Sequence, residues 1–125
     1  MPNELILIIE DNEKNRKLVR DVLEVKGYRT IESENAEDGL TLAAEKLPAL
    51  ILMDIQLPGM DGITAMKQLK ADPRTRAIPI IAITASAMTN NRQAMLAEGF
   101  EGYQTKPISL KEFLGEIERV LAVLR

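Results

Sequence analysis

The 125-residue sequence contains no cysteine, no histidine and no tryptophan. The absence of thiol and imidazole groups excludes zinc sites built on those ligands, and it also excludes Ser-His and Cys-His catalytic arrangements. A nucleophile in this chain must therefore be a carboxylate, a hydroxyl or a lysine. A bound metal must be held by oxygen ligands, which favours Mg²⁺, Mn²⁺ or Ca²⁺.

Long hydrophobic runs and a strong charge of one sign are also missing. No apolar stretch approaches the roughly 18 residues of a membrane span, and the amino-terminal MPNELILIIED has neither a basic region nor a small-residue cleavage site. The net charge of −3 argues against nucleic acid or an anionic membrane as the main partner. We therefore expect a cytoplasmic protein, and the lack of cysteine is consistent with that location.

What the chain does contain is an alternation of predicted strands and helices within one domain, residues 1–125. Five short β-rich runs predict strands: LILII (5–9), YRTIES (28–33), LILM (50–53), PIIAI (79–83) and GYQT (102–105). The strands are mostly continuous apolar runs, so both faces of their sheet must be covered. The pattern therefore predicts an α/β fold with a parallel five-stranded sheet between helices.

The intervening segments show helical spacing of apolar residues, and Gly27, Pro48, Pro73 and Gly99 are placed to end four of the helices. The fourth helix is the weakest, with Met88, Met95 and Leu96 as its apolar positions. The fifth is the clearest because it starts with a capping box, Ser-x-x-Glu, at 109–112. One apolar face of this helix comprises Leu110, Phe113, Leu114, Ile117, Leu121 and Leu124.

Chemically capable side chains stand at the carboxyl ends of four predicted strands. Glu10 and Asp11 follow the first strand, Asp54 the third, Thr84 the fourth and Lys106 the fifth. Ligands of open parallel sheets bind beyond these ends. Each residue alone is explained as a helix cap, a turn residue, a strand former or a surface lysine. Their coincidence around one crevice is better explained by a site.

The three carboxylates of this set would raise one another's pKa unless a cation lay among them. Mg²⁺ suits them, with Asp11 and Asp54 as direct ligands, Glu10 as a water-mediated one and the backbone carbonyl of Gln56 as a further oxygen. An ionised Asp54 is then a nucleophile for a phosphoryl group. Three groups are suited to stabilise the charge on that group, namely the cation, the Lys106 ammonium and the Thr84 hydroxyl.

The chain resembles the receiver domain of two-component response regulators over essentially its whole length. The matching motifs are IIEDN (8–12), LMDIQLPGMDG (52–62), ITA (83–85) and the Lys-Pro pair (106–107). The resemblance implies a doubly wound (βα)5 flavodoxin-like fold with strand order 2-1-3-4-5. It also implies a phosphoacceptor signalling protein rather than an enzyme, one that assists its own phosphorylation and dephosphorylation.

The resemblance assigns roles to individual residues. Asp54 would accept a phosphoryl group from a phosphohistidine on a histidine kinase or a histidine phosphotransfer protein. Glu10 and Asp11 match the acidic pair that binds Mg²⁺, and Gln56 the position that offers a backbone carbonyl. Thr84 matches the switch hydroxyl, Lys106 the phosphate-binding lysine and Tyr103 the aromatic switch residue, although Tyr103 is equally a plain packing aromatic. The Lys106–Pro107 bond is expected to be cis.

The expected output is either a change of protein binding or the transfer of the phosphoryl group onward in a phosphorelay. Phosphorylation would draw Thr84 toward the phosphate, let Tyr103 rotate into the vacated space, and alter the face made by helix 4, strand 5 and helix 5 for a downstream protein effector. The chain ends just after helix 5, so we expect a single receiver domain without an output domain. The segments NxxNRKLV, MDIQLPGMDG and ITASAM resemble the corresponding segments of single-domain cell-cycle regulators and of receivers of hybrid kinases. The oligomeric state stays open.

The first helix carries a wide apolar stripe. Its predicted core positions are Leu18, Val22 and Val25, and Val19 and Leu23 flank them. The flanking residues are either additional core or, with Asn15 and Val19, part of a docking surface for a histidine-bearing helix. In the second case Val19→Asp would slow phosphotransfer without unfolding the protein.

Two other functions compete with a phosphoacceptor switch. A Mg²⁺-dependent aspartyl-phosphate phosphatase or phosphotransferase would typically have a second acidic residue where this chain has Gln56, and it would need a longer chain to enclose a substrate. A degenerate receiver that serves only as a binding module would not need the complete set of Glu10, Asp11, Asp54, Thr84 and Lys106.

Overall fold

The computed structural model describes residues 3–86, 88 and 90–124, and it shows five strands alternating with five helices. The strands are β1 (Leu5–Ile9), β2 (Arg29–Ser33), β3 (Leu50–Asp54), β4 (Ile80–Thr84) and β5 (Gly102–Thr105). The helices are α1 (Glu13–Val25), α2 (Ala36–Lys46), α3 (Gly62–Ala71), α4 (Arg92–Glu98) and α5 (Leu110–Leu124). All strand pairs are parallel, in the order β2-β1-β3-β4-β5. The predicted doubly wound fold is confirmed.

The central strands are continuously apolar because alternate residues enter two different cores. In β3, Ile51 and Met53 pack with the side chains of α2, α3 and α4, whereas Leu50 and Leu52 pack with those of α1 and α5. Successive side chains of a strand point to opposite faces, so a sheet covered on both sides needs an apolar residue at every position. β3 thus lies at the centre of the sheet, and its last residue, Asp54, is the first charged group beyond the apolar run.

Helix α1 buries a different face from the predicted one. Val19 and Leu23 are in the core at 3% and 0% exposure, whereas Leu18 and Val25 are 45% and 85% exposed. The third residue on the buried face is Arg16. The prediction of Leu18 and Val25 as core positions is therefore wrong, and so is the hypothesis that Val19 belongs to a docking surface, because that side chain is not accessible.

Smaller differences concern helix ends. Met88 lies outside α4 and is 96% exposed, so α4 is shorter than its apolar spacing suggested. Leu47 does not continue α2 but closes it in a left-handed conformation, with φ of 47°. Leu110 of the predicted α5 face is 48% exposed. The side chain of Leu124 and residue Ala87 of the ITASAM motif lie outside the described residues.

No helix among the described residues is long and apolar enough to cross a membrane.

Candidate functional site

Asp54 is held rigidly at the end of β3. Its side chain is almost fully buried, and its Oδ1 accepts a hydrogen bond from the backbone N–H of Gln56 at 2.9 Å. The chain turns tightly behind it, because the N–H of Gly62 donates to the carbonyl of Ile55. A Cβ at position 62 would collide with the backbone carbonyl of Asp54. Glycine at position 62 therefore allows α3 to begin directly against the strand end that carries the carboxylate.

The loop from β1 to α1 carries the other two carboxylates. The backbone N–H of Glu10 extends the β1–β2 ladder by donating to Ser33 at 3.1 Å, and the Glu10 carboxylate accepts from the N–H of Asn12 at 3.1 Å. Asn12 in turn caps α1 by accepting from the N–H of Asn15 at 3.0 Å. Glu10 is buried and Asp11 is exposed, so Asp11 faces solvent at the mouth of the crevice.

Lys106 bridges the two buried carboxylates. Its Nζ lies 2.8 Å from Glu10 Oε1 and 3.0 Å from Asp54 Oδ2. The residue directly follows β5, its backbone N–H donates to the carbonyl of Thr84 at 2.8 Å, and its bond to Pro107 is cis as expected. Residues 52 positions apart in the sequence therefore meet in one charge cluster.

The contacts within this cluster shift the pKa values of Glu10 and Lys106. Burial, together with a hydrogen bond to Asp54, raises the pKa of Glu10 above its usual range, although Lys106 and the Asn12 N–H oppose the shift. Burial lowers the pKa of Lys106, but the hydrogen bonds to Glu10 and Asp54 outweigh it and hold the pKa above its usual value. The lysine therefore stays charged at neutral pH, and the surplus negative charge favours a second cation.

The three carboxylates fit a divalent metal ion. One oxygen each from Glu10, Asp11 and Asp54 lies within 4.8 Å of the others, which is the only such cluster of His, Cys, Asp and Glu among the described residues. These are hard oxygen donors, of which one is exposed and two are buried. Mg²⁺ prefers such a set, because it takes one or two carboxylates and keeps several waters.

Two loops, β3–α3 and β4–α4, meet beside Asp54. Thr84 ends β4 beside β3 and is fully buried, and its hydroxyl accepts from the N–H of Ser86 at 3.0 Å. The exposed Gln56 side chain crosses from the β3–α3 loop and accepts from the N–H of Ala85 at 3.2 Å. Thus Gln56 contacts the site through its backbone N–H and joins the two loops with its side chain.

Tyr103 lies apart from the carboxylates, on the outer edge of the sheet. Its ring is buried and lies 5.4 Å from the guanidinium carbon of Arg92. Its backbone N–H donates to Glu116 Oε2 at 2.8 Å, and its carbonyl accepts from Arg92 at 3.2 Å. Arg92 and Glu116 also pair directly at 3.0 Å. Tyr103 is therefore fastened to both α4 and α5, the helices of the predicted output face.

Glu116 is a buried carboxylate with three donors. Burial alone would raise its pKa, but hydrogen bonds from Arg119, from the N–H of Tyr103 and from Arg92 outweigh it and hold the pKa below its usual value. This network caps the free edge of β5 with side chains, which protects an edge strand from pairing with another chain.

The sequence predicted the charged cluster but not three other contacts of the molecule. They are the Gln56 side chain on the Ala85 N–H, the Glu116 network, and a hydrogen bond of 2.8 Å from Arg16 to the backbone carbonyl of Glu10. Each joins a long polar side chain to backbone from another segment. In the sequence, Arg16 and Glu116 look like ordinary charges on helices, so no local signal distinguishes them.

The model of the response regulator receiver domain matches residues 6–118. The polar-differentiation response regulator DivK of Brucella anthropi is 47% identical over 116 residues, which cover 93% of this chain and 94% of that protein. DivK of Brucella abortus is 46% identical over the same shares. These relatives have nearly the same length as this chain.

Solved structures show the same architecture. The receiver domain of a sensor histidine kinase from Pseudomonas aeruginosa, solved with a magnesium ion coordinated in its active-site cleft, has a TM-score of 0.88 and 30% identity, covering 97% of this chain and 99% of that one. A signal receiver domain of a histidine kinase from Syntrophus aciditrophicus has a TM-score of 0.88 and 28% identity, covering 98% and 92%.

Proposed function

The chain belongs to the response regulator receiver family of two-component signalling, and we propose that Asp54 is the residue that accepts the phosphoryl group. The observation that carries this proposal is the contact of Lys106 Nζ with both Asp54 and Glu10, at 3.0 and 2.8 Å. In this contact the Asp54 carboxylate lies next to an ammonium and next to Glu10, and Asp11 belongs to the same carboxylate cluster. The donor that we propose is a phosphohistidine on a histidine kinase or a histidine phosphotransfer protein.

In the proposed reaction a carboxylate oxygen of Asp54 attacks phosphorus, the bond between phosphorus and the imidazole nitrogen breaks, and the nitrogen keeps the electron pair and takes up a proton. The backbone N–H of Gln56 fixes the Asp54 carboxylate for this attack. Lys106 already lies within hydrogen-bond distance of Asp54. In the proposed reaction its ammonium would stabilise the negative charge of the transferred group.

Glu10, Asp11 and Asp54 would hold Mg²⁺, and the Gln56 carbonyl is proposed as a further ligand. When bound, the ion supplies positive charge for the phosphoryl oxygens. Two findings support this assignment, namely the close approach of the three carboxylates here and the magnesium ion in the active-site cleft of the Pseudomonas aeruginosa receiver.

The proposed output is a change at the face of α4, β5 and α5. The buried Thr84 hydroxyl would turn from the Ser86 N–H toward the phosphoryl group, and Tyr103 would repack against the space that Thr84 leaves. Because the Tyr103 ring lies beside the Arg92 guanidinium of α4, and Arg92 pairs with Glu116 of α5, a movement of the ring would change how α4 and α5 are joined. A downstream protein effector would distinguish the two surfaces. We propose that the same residues assist hydrolysis of the aspartyl phosphate, so the signal is reversible.

The direct test is incubation with Mg²⁺ and a small phosphoryl donor such as acetyl phosphate, followed by intact-mass measurement. The wild type should gain one phosphoryl group, and Asp54→Asn should gain none. Asp61→Asn is a matched control because Asp61 is an exposed N-cap of the neighbouring helix α3. No mass gain by the wild type, or an equal gain by Asp54→Asn, would remove the proposal. A pull-down with both forms then tests the switch, because unchanged partners would contradict it.

A further inference from the structure

Arg16 is the most deeply buried cation on α1, and its shortest contact is not with a carboxylate. The residue is 9% exposed. Its Nη1 donates to the backbone carbonyl of Glu10 at 2.8 Å, whereas its ion pairs with Glu32 and Glu34 are longer, at 3.4 Å each. Burying a guanidinium is costly unless its donors are satisfied. The shortest hydrogen bond of Arg16 is thus the one to Glu10, in the loop of the charged site.

The position of that bond within the loop has a specific consequence. A peptide group is planar, so fixing the direction of the Glu10 carbonyl also fixes the directions of the N–H and N–Cα bonds of Asp11. The peptide before it is fixed by the Glu10 N–H on Ser33, and the peptide after it by the Asn12 N–H on the Glu10 carboxylate. Arg16 therefore restrains the middle one of three consecutive peptide groups, the one that aims Asp11.

We propose that Arg16 is a positioning residue for the cation site, acting through the Glu10–Asp11 peptide. Asp11 is the exposed member of the carboxylate cluster, so its orientation depends on the backbone more than on surrounding side chains. Arg16 contacts the carbonyl of Glu10 and leaves the cluster's carboxylate oxygens to a metal ion. In this it differs from Lys106, which occupies those oxygens directly. This inference rests on the proposed function, because it assumes that the cluster binds Mg²⁺.

Arg20 provides a matched control on the same helix. It pairs with the same glutamate as Arg16, with Nη1 2.8 Å from Glu32 Oε2, and its other ion pair is with Asp21. Removing either arginine leaves Glu32 with one cation fewer. Only Arg16 reaches the Glu10 carbonyl, so a difference between the two variants isolates that contact.

The experiment measures Mg²⁺ affinity directly by isothermal titration calorimetry on wild type, Arg16→Met, Arg20→Met and Arg16→Lys, with urea unfolding of each. Outer hydrogen-bond partners of metal ligands typically change affinity 10- to 100-fold. We expect the Mg²⁺ Kd to rise about tenfold for Arg16→Met and less than twofold for Arg20→Met. Arg16→Lys, which keeps one donor, should lie between Arg16→Met and wild type.

The possible outcomes distinguish a failure of the proposed function from a failure of the Arg16 role. If the wild type binds no Mg²⁺, the proposed function fails and this inference fails with it. If the wild type binds Mg²⁺ and Arg16→Met has an unchanged Kd, or one raised no more than that of Arg20→Met, only the role of Arg16 is overturned. Should Arg16→Met not fold, Arg16→Lys decides: a raised Kd with wild-type stability supports the role, and an unchanged Kd overturns it.

Discussion

Replacing Lys106 with methionine would expose how strongly the site depends on positive charge. Methionine keeps most of the apolar stem but removes the ammonium that lies 2.8 Å from Glu10 and 3.0 Å from Asp54. The side chains of these carboxylates are only 7% and 3% exposed, so water does little to screen them from each other. The variant therefore retains the negative charges of the cluster and loses the one ammonium bonded to them.

Removing one partner of a buried ion pair typically costs about 3–5 kcal/mol of unfolding free energy. The lower end applies here, because the Lys106 side chain is 20% exposed and its ion pairs are therefore not fully shielded from water. For 125 residues a loss of 1 kcal/mol lowers Tm by about 4 °C. We therefore expect Lys106→Met to melt about 12 °C below the wild type in EDTA at pH 7.5. In saturating Mg²⁺ the metal would replace the lost charge, and the difference should shrink to about 4 °C or less.

The assay is thermal unfolding followed by circular dichroism, with and without Mg²⁺, on wild type, Lys106→Met and Lys111→Met. Lys111 is an exposed lysine on α5 and should change Tm by less than about 2 °C. A Tm loss of equal size in EDTA and in Mg²⁺ would refute the reasoning, because it would show that the lysine contributes by packing rather than by neutralising the carboxylates.

Three further predictions follow from single residues. Glu116→Gln should lower the unfolding free energy by about 2 kcal/mol at pH 7. Because the folded-state pKa of Glu116 is lowered, its contribution is present above pH ~4.3 and is lost as pH falls through the folded-state pKa, so in urea titrations the stability difference between the two proteins should shrink in acid. Gly62→Ala should lower the unfolding free energy by about 2–3 kcal/mol because the new Cβ clashes with the backbone, whereas Gly115→Ala, at an exposed position of α5, should raise it by about 0.5–1 kcal/mol. Urea midpoints that do not move in opposite directions would contradict this pair of predictions. Val19→Asp should unfold the protein, while Leu18→Ser should change stability by less than about 1 kcal/mol; a folded Val19→Asp variant by circular dichroism would disprove the placement of α1.

The strands and the charged cluster could be predicted from the sequence because they obey a simple rule. A strand covered on both faces is apolar at every position, so a charge directly after it marks the end of the cover. β1 and β5 match their predicted runs at both ends, and the other three strands begin and end within one residue of theirs. Since parallel strands end at one edge and β1 adjoins β3, Glu10 and Asp54 had to be neighbours once the strand order was known. Lys106 follows β5, two strands away from β3, so its contact with both carboxylates also needs the length of its side chain.

Contacts made by long polar side chains could not be predicted in the same way. The bonds from Arg16 to the Glu10 carbonyl and from the Tyr103 N–H to Glu116 depend on the relative placement of separate elements to within an ångström. The spacing of apolar residues in the sequence carries no information about that placement. Their chemistry also hides them, because a charged residue in a helix is usually assigned to solvent.

The error in α1 has the same origin. The helix carries two apolar stripes, and counting apolar residues favours Leu18, Val22 and Val25 over the pair of Val19 and Leu23. The buried face is nevertheless the one with Val19 and Leu23, and Arg16 is its third residue. Its guanidinium finds the Glu10 carbonyl and two carboxylates, while its stem contributes apolar surface. Because arginine counts as a polar residue, the sequence pattern did not indicate that this face of α1, which contacts the loop of the charged site, is the buried one.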